Sequence, residues 1–258
     1  MNDLPSEPDL APVRLHTGDS GLVIEVTVAA PITTVWEHLR DPELIARWHG
    51  WDYEGLDQEI EVIYSEHARE GATPYVLETR GGSAPGSFEL GDRFDLREEE
   101  GATVVRITRG PTGTDPDWDA MYDDITQGWV SFLAQLRFAV ERAPAVVRRT
   151  VFLSAGPGAG VRELLGVSGL AAGDTYAVAP SADLEIEGRV WFDTEDQTGL
   201  TVEAYGPGVV VLADKPGERP GHAAASMAIV STYGLEDDDF ARVEAAWGKW
   251  WAGAQPGL

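Results

Sequence analysis

The chain has 258 residues, contains no cysteine and carries a formal net charge of −25 at pH 7. This length suits one large domain or two of ordinary size, and a hydrophobic content of 43% is enough to build a core. The missing cysteines exclude disulfides, thiolate catalysis and cysteine metal sites. The acidity opposes binding to nucleic-acid phosphates or to anionic membranes, so neither partner is expected.

Residues 1–20 predict a flexible tail, because their opening MNDLPSEPDLAP is acidic and proline-rich. This opening also lacks the basic start and the apolar run of a secretion signal. No later stretch approaches the roughly 18 consecutive apolar residues of a membrane-spanning helix. We therefore expect no membrane insertion and a cytoplasmic location.

Residues 22–30, LVIEVTVAA, predict a strand with one buried face, because apolar side chains recur at every second position. Two short helices are expected next, over 34–40 and 42–48, since an Asp-Pro pair separates them and proline suits the first turn of a helix. Four strand candidates then predict an antiparallel meander, with a hairpin turn at Glu100-Gly101. They are EIEVIYSE at 59–66, YVLETRG at 75–81, SFELGDRFDLREE at 87–99 and TVVRITRG at 103–110.

The pattern changes to a helical period over residues 121–142. Apolar side chains recur there at spacings of three and four, which defines one face of a long helix. They are Ile125, Trp129, Phe132, Leu133, Leu136 and Val140. Gly128 lies inside this helix, where glycine costs about 1 kcal/mol relative to alanine. Two interpretations of Gly128 stay open, close packing against the sheet and close approach of a ligand.

The same order of elements then occurs a second time. Residues 144–149, PAVVRR, predict a linker, and a strand, a glycine-rich turn and a short helix follow it. The VRELL of this helix resembles VWEHL at 35–39, and five further strand candidates lead to a closing helix rich in tryptophan. We infer a divergent internal duplication, with one domain over 21–143 and a second over 150–258.

Two segments of the first domain resemble the START-like, or SRPBCC, superfamily. They are VTVAAPITTVWEHLRDPELIARWHG at 26–50 and ITQGWVSFLAQLRFAVE at 125–141. The most similar branch is the Aha-type domain, related to activators of heat-shock-protein ATPases. The resemblance implies an α+β helix-grip fold, in which a curved antiparallel sheet wraps around a long C-terminal helix and leaves a cavity between them. The second domain resembles the same fold by its element order and its terminal helix alone.

The cavity that the resemblance implies gives the aromatic residues a candidate role. Large rings beside a few polar groups suit the stacking and orientation of a small ligand, although such rings also serve simply as core. The predicted lining residues of the first domain are Trp48, His49, Trp51, Tyr53, Arg93, Trp129 and Phe132. Trp191 and Trp247 are the corresponding predictions for the second domain.

Three functions agree with this pattern. The leading hypothesis is noncatalytic binding of a small hydrophobic or aromatic ligand in a START-like cavity. The first alternative is a protein-interaction module similar to the chaperone-ATPase activators, in which tryptophans and acidic surface meet a protein partner. The second is an enzyme resembling polyketide cyclases or aromatases, with His49, Tyr53 or Arg93 as the polar group that faces the cavity.

No cofactor or metal is expected. The five histidines lack the four-residue helical spacing of a zinc site. GPGAG at 156–160 follows a strand and precedes a helix, but it lacks the Gly-Lys-Ser/Thr end of a phosphate-binding loop. We therefore interpret it as a tight turn.

Overall fold

The computed structural model describes residues 13–18, 21–80, 90–109, 116–144, 146–156, 160–215 and 225–254. The first half consists of β1 Arg14–Gly18, β2 Gly21–Val28, α1 Ile32–Arg40, α2 Pro42–Ile45, α3 Leu56–Glu61, β3 Ala68–Glu70, β4 Val76–Arg80, β5 Leu90–Glu99, β6 Ala102–Thr108 and α4 Pro116–Arg142. The second half consists of β7 Arg148–Ala155, α5 Val161–Leu165, β8 Thr175–Ser181, β9 Leu184–Asp193, β10 Gln197–Thr201, β11 Gly208–Lys215, β12 Ala225–Tyr233 and α6 Asp237–Ala254.

Each half contributes one antiparallel sheet of six strands. The first sheet has the order β1-β2-β6-β5-β4-β3, and the second has the order β7-β12-β11-β10-β9-β8. In both, the strand that precedes the short helices pairs with the last strand of its half, and the others follow in reverse order. The first sheet adds β1 outside this plan. The predicted α+β class is confirmed, and the repeated order fits a duplicated helix-grip fold.

Local sequence signals explain several of these elements. The hairpin between β5 and β6 turns at Glu100 and Gly101, whose φ angles are 49° and 85°. Two successive positive φ angles are typical of the tight turn whose twist matches paired strands. Asp41 caps α2, because its carboxylate accepts a hydrogen bond of 2.9 Å from the backbone N–H of Glu43. These predictions of turn and helix start are confirmed.

The predicted strand EIEVIYSE is wrong. Its residues form the end of α3 and a π-helical turn over Val62–Glu66. Ile60 and Tyr64 fit a strand, in which alternate residues share a face, and they equally fit a helix together with Leu56, since all three are buried four residues apart. The acidic Asp57 and Glu59 in the first turn favour the helix.

Two predicted irregular segments also contain strands. Arg14–Gly18, inside the predicted tail, pairs with β2 and extends the first sheet. Arg148 and Arg149, inside the predicted linker, begin β7 and pair with Tyr233 and Thr232 of β12. Charged side chains obscured both strands, because polar residues normally indicate loops.

Helix α4 lies between the two sheets and is covered on both sides. Its apolar side, which includes the fully buried Leu133 and Leu136, packs into a core with the first sheet. Its opposite side faces the second sheet, where Ser131 donates a hydrogen bond of 2.7 Å to Gln197. The ring of Phe138 meets Trp191 edge-on at 5.5 Å on the same side. The long helix α4 is therefore packed between the two sheets and contacts both halves of the chain.

Helix α6 covers the other face of the second sheet. Its buried residues are Phe240, Val243, Trp247, Trp250 and Trp251, and they form a separate core with the strands beneath. The second half therefore grips its own C-terminal helix, as the resemblance predicted. None of the described helices combines the length and the apolarity that a membrane span requires.

Candidate functional site

A cavity of about 470 Å³ lies beside the N-terminal part of α4. We call it the main cavity. Its lining residues are His49, Trp51, Glu59, Ile63, His67, Thr79, Arg80, Asp92, Ile125, Gln127, Gly128, Trp129, Phe132, Lys215 and Met227. They come from the segments around α2 and α3, from the first sheet, from α4 and from the second sheet. A volume of this size suits a small organic ligand.

The spacing of α4 explains its share of this lining. Ile125, Gly128, Trp129 and Phe132 recur at intervals of three and four residues, so they lie on one side of the helix. A Cβ atom at Gly128 would meet no atom closer than the ring of Phe132, at 3.7 Å. Gly128 therefore opens space in the cavity wall. Among the described residues, no backbone atom outside α4 packs tightly against Gly128. Of its two interpretations, the close approach of a ligand therefore fits better than close packing against the sheet.

Aromatic rings form the inner wall of the main cavity. The His49 ring lies 4.7 Å from the Phe132 ring and 6.0 Å from that of Trp129, measured between centroids. Trp51 stacks on Phe152 of β7 with ring centroids 4.0 Å apart and an interplanar angle of 6°. Rings held at such distances keep their orientation without a ligand, and this lowers the entropic cost of binding one.

Asp92 fixes Trp129 from the first sheet. One carboxylate oxygen of Asp92 accepts a hydrogen bond of 2.8 Å from the indole N–H of Trp129, and the other accepts one of 2.8 Å from Arg109. Arg109 also donates to the Thr126 hydroxyl at 2.6 Å. Arg109 and Asp92 are both largely buried, so this ion pair is shielded from water and connects β5 to α4.

His49 provides a polar group in the aromatic wall. The hydroxyl of Tyr64 lies 3.0 Å from Nδ1 of His49, whereas Nε2 lies 3.6 Å from the Glu59 carboxylate, beyond hydrogen-bonding distance. Burial lowers the pKa of the His49 imidazole, so the ring is neutral near pH 7. The nearby imidazole in turn lowers the pKa of Glu59. A hydrogen bond to Glu59 raises the pKa of Tyr53 to about 12.

Replacing His49 with glutamine is expected to reduce the decrease in the free energy of unfolding that occurs in mild acid. An unfolded His49 binds its proton at an ordinary pKa near 6.5, whereas the buried ring binds one only at lower pH. Above about pH 6.5, His49 is neutral in both states and does not reduce the free energy of unfolding. As the pH falls below this value, protonation of the unfolded state lowers the free energy of unfolding by up to about 1.4 kcal/mol per pH unit. Urea denaturation of the wild type and of His49→Gln between about pH 5 and 8 measures this pH dependence of the free energy of unfolding.

His38 also has a pKa lowered by burial, but it is present in both proteins and cancels in their difference. Glu59 titrates below its ordinary value, so its contribution falls in a more acidic range. Identical pH dependence in the wild type and His49→Gln would contradict a buried neutral imidazole.

The second half holds the cavity wall in place. Arg148 of β7 donates to the carbonyl oxygens of His49 at 2.5 Å and of Gly50 at 3.2 Å. The side chain and backbone of Asp52 exchange hydrogen bonds of 2.7 and 2.6 Å with Thr150. Burial lowers the pKa of the Arg148 guanidinium. The segment that carries His49 and Trp51 is therefore attached to the second sheet.

The structure brings four predicted residues together in the main cavity. They are His49, Trp51, Trp129 and Phe132. Trp191 lines a smaller cavity of about 350 Å³ on the opposite half. A role of these residues in ligand binding remains a proposal.

The other predicted residues lie elsewhere, and a cavity-lining role for them has to be corrected. Trp48 is fully buried, and its indole N–H donates to the His38 carbonyl oxygen at 2.8 Å. Trp247 is equally buried in the second core. Tyr53 is 46% exposed at the surface. Arg93 forms ion pairs with Glu78 and Asp95 on the face of β5 opposite the buried Phe94.

Sequence reasoning missed Asp92, Thr79 and Glu59. A signal for Asp92 was available, because it shares the strand face of Phe94 and Leu96, both of which are buried. An acidic residue in register with core positions indicates either a buried ion pair or a site. Glu59 was assigned to a strand that does not exist, so its approach to His49 was not predictable.

Comparison with known proteins gives no family assignment. No protein-family model matches the chain, and no curated protein matches it either. Similar solved structures include DynU16, from the dynemicin biosynthetic locus, with 17% identity and a TM-score of 0.34 over 90% of this chain and 95% of that one. The di-domain ARO/CYC protein BexL, from the BE-7585A pathway, has 13% identity and a TM-score of 0.35 over 90% of each chain.

The di-domain ARO/CYC protein StfQ, from the steffimycin pathway, has 11% identity and a TM-score of 0.30 over 88% of this chain and 91% of that one. At this level of similarity the ligand and any activity have to be inferred from the site itself. The Aha-type branch stays a prediction.

Proposed function

We propose that the protein binds a small, planar, mostly apolar molecule in the main cavity and does not transform it. The observation that carries this proposal is the aromatic wall formed by His49, Trp51, Trp129 and Phe132 around a volume of about 470 Å³. Affinity arises from removal of apolar surface from water, at about 25 cal/mol per Å².

A few polar groups at the same cavity give the ligand a direction. Thr79 and Gln127 place neutral polar side chains at the cavity, and Arg80 and Lys215 contribute positive charge. A ring system with hydroxyl or keto groups at one end fits this division between an apolar wall and a polar rim.

Filling the cavity from Gly128 tests this proposal. The probe is naphthol, a planar aromatic molecule with one hydroxyl group. Gly128→Trp is expected to weaken its binding at least about tenfold, equivalent to about 1.4 kcal/mol, because the new indole would occupy the ligand volume. Gly128→Ala adds one methyl group at an ordinary contact distance from Phe132. It should retain binding and stabilise α4 by about 1 kcal/mol. Isothermal titration calorimetry measures the affinities, and thermal unfolding measures the stabilities.

Equal affinity in the wild type and Gly128→Trp would place naphthol outside the main cavity. Failure of the wild type to bind any member of a panel of hydroxylated and keto-substituted aromatics would contradict the proposed function. The alanine variant shows whether a weaker affinity of Gly128→Trp arises from damage to the helix.

A cyclase-like or aromatase-like reaction is the second candidate, and the state of His49 favours it. Its Nε2 is buried and has no hydrogen-bond partner among the described residues. A neutral imidazole there could accept a proton from a carbon between two carbonyl groups, while Glu59 stabilises the resulting imidazolium. Incubation with a linear poly-keto thioester, followed by absorbance of a new aromatic product, tests this. Turnover that survives His49→Gln would exclude the role.

The chaperone-activator-like alternative stays a prediction with weaker support. It required tryptophans at the surface, whereas the exposed large hydrophobic residues of the described chain are Tyr53, Ile125 and Val147. Trp48 is core and Trp51 is stacked on Phe152. No described contact surface therefore favours a protein partner.

A further inference from the structure

The smaller cavity, of about 350 Å³, lies between the C-terminal end of α4 and the β9–β10 part of the second sheet. We call it the arginine cavity. Its lining residues are Phe138, Arg142, Arg189, Val190, Trp191, Thr201, Val202, Glu203, Gly206, Pro207 and Gly208. It shares none of these residues with the main cavity.

An irregularity of the second sheet accompanies this hollow. The register between β9 and β10 shifts at Gly199 and Leu200. A Cβ atom at Gly188 would approach the carbonyl oxygen of Thr201 to 2.1 Å, so only glycine permits the two strands to come this close. The close approach of β9 and β10 beside the cavity is therefore fixed by the backbone.

Trp191 is the central ring of the arginine cavity, and cations surround it. The guanidinium carbons of Arg137 and Arg142 lie 4.5 and 5.5 Å from its ring centroid. Arg137 forms an ion pair with Glu141 at 3.1 Å. Within the described part of the chain, Arg142 has no carboxylate at ion-pair distance and the Trp191 indole N–H has no acceptor.

The polar groups around this ring are mainly donors, and one ligand chemistry satisfies them together. A carboxylate accepts hydrogen bonds from an indole N–H and pairs in a bidentate manner with a guanidinium. Phe138, Val190 and Val202 supply apolar surface for a ring attached to that carboxylate. Glu203 is exposed at the rim. A bare phosphate would leave the apolar surface uncovered.

We propose that the arginine cavity is a second ligand site, which binds a small planar carboxylate of about the size of benzoate. The site is independent of the main cavity and of its ligand. The net charge of −25 repels anions at long range. At about 0.15 M ionic strength the Debye length is about 8 Å, so distant acidic groups are screened and the nearby guanidinium groups prevail.

Fluorine NMR titration with para-fluorobenzoate, at about 0.15 M ionic strength, tests the proposal. Saturable binding is expected, and para-fluorobenzamide, which has the same shape without the charge, should bind at least roughly fivefold more weakly. Arg142→Gln should weaken benzoate binding by a similar factor without loss of fold, because Arg142 is exposed. Trp191→Phe keeps an aromatic ring and removes only the N–H donor, so it should weaken benzoate binding less than Arg142→Gln does.

Gly128→Trp serves as the matched control, because it fills the main cavity and should leave benzoate binding unchanged. Loss of binding in that variant would assign benzoate to the main cavity and overturn the proposal. Equal affinities for the two probes, an unaffected Arg142→Gln, or no saturation by about 10 mM would each overturn it as well. None of these outcomes bears on naphthol binding, so the two proposals fail separately.

Discussion

Replacing Asp92 with alanine is expected to destabilise the protein by about 3 kcal/mol. The change removes the carboxylate that pairs with the buried Arg109 at 2.8 Å. It also removes the acceptor of the Trp129 indole N–H. Urea denaturation near pH 7 measures the loss of free energy of unfolding.

Asp92→Asn is the matched control. The amide oxygen still accepts one hydrogen bond, but the negative charge opposite Arg109 is lost, so an intermediate destabilisation is expected. The alanine variant should also bind naphthol more weakly, since Trp129 is no longer fixed in the cavity wall. A destabilisation below about 1 kcal/mol in Asp92→Ala would indicate that water replaces the carboxylate.

Trp48 and Trp51, three positions apart, are expected to respond differently to truncation. Trp48→Ala should cost about 3–5 kcal/mol of stability, because it opens a void in the first core and leaves the His38 carbonyl oxygen without its donor. Trp51→Ala should cost less, since Trp51 is only partly buried. Its main effect should be on ligand binding, because Trp51 lines the main cavity.

Chemical denaturation and naphthol titration of both variants check this contrast. Trp48→Phe provides a control that keeps an aromatic ring in the core and loses only part of the volume. A similar loss of stability in Trp48→Ala and Trp51→Ala would show that both rings serve as core. In that case the aromatic wall would lose its functional interpretation.

Much of this architecture was accessible from the sequence, because its signals are local. Alternating side chains predicted β2, a glycine after an acidic run predicted the turn at Glu100 and Gly101, and the Asp41-Pro42 pair predicted the start of α2. The three-and-four spacing predicted α4, and with it Trp129 and Phe132 on a face toward the cavity. These features depend on neighbouring residues and on little else.

The cover over the polar side of α4 was not predictable in this way. Ser131 and Gln135 fit a solvent-exposed helix face, yet both are fully buried. Gln135 accepts from Ser231 at 3.1 Å, across a separation of 96 residues. The local pattern of a helix does not show whether its polar face contacts water or the hydrogen-bonding groups of a sheet that is distant in sequence.

The candidate site was accessible only in part for the same reason. An aromatic residue is favourable both in a core and in a cavity wall, so Trp48 and Trp51 look alike as sequence. Their difference depends on Tyr64 and Phe152, which approach from other elements. The contribution of Arg148 depends on the second half folding against the first, which no spacing within either half encodes.

The polar contact between α4 and the second sheet also limits how the two halves can evolve. Gln197 of β10 both accepts a hydrogen bond from Ser131 and donates one to Gln127. A substitution at any of these three positions removes a partner from a buried group elsewhere in the chain. Relatives should therefore vary at these positions in concert, because these hydrogen bonds attach the second half of the chain to the first.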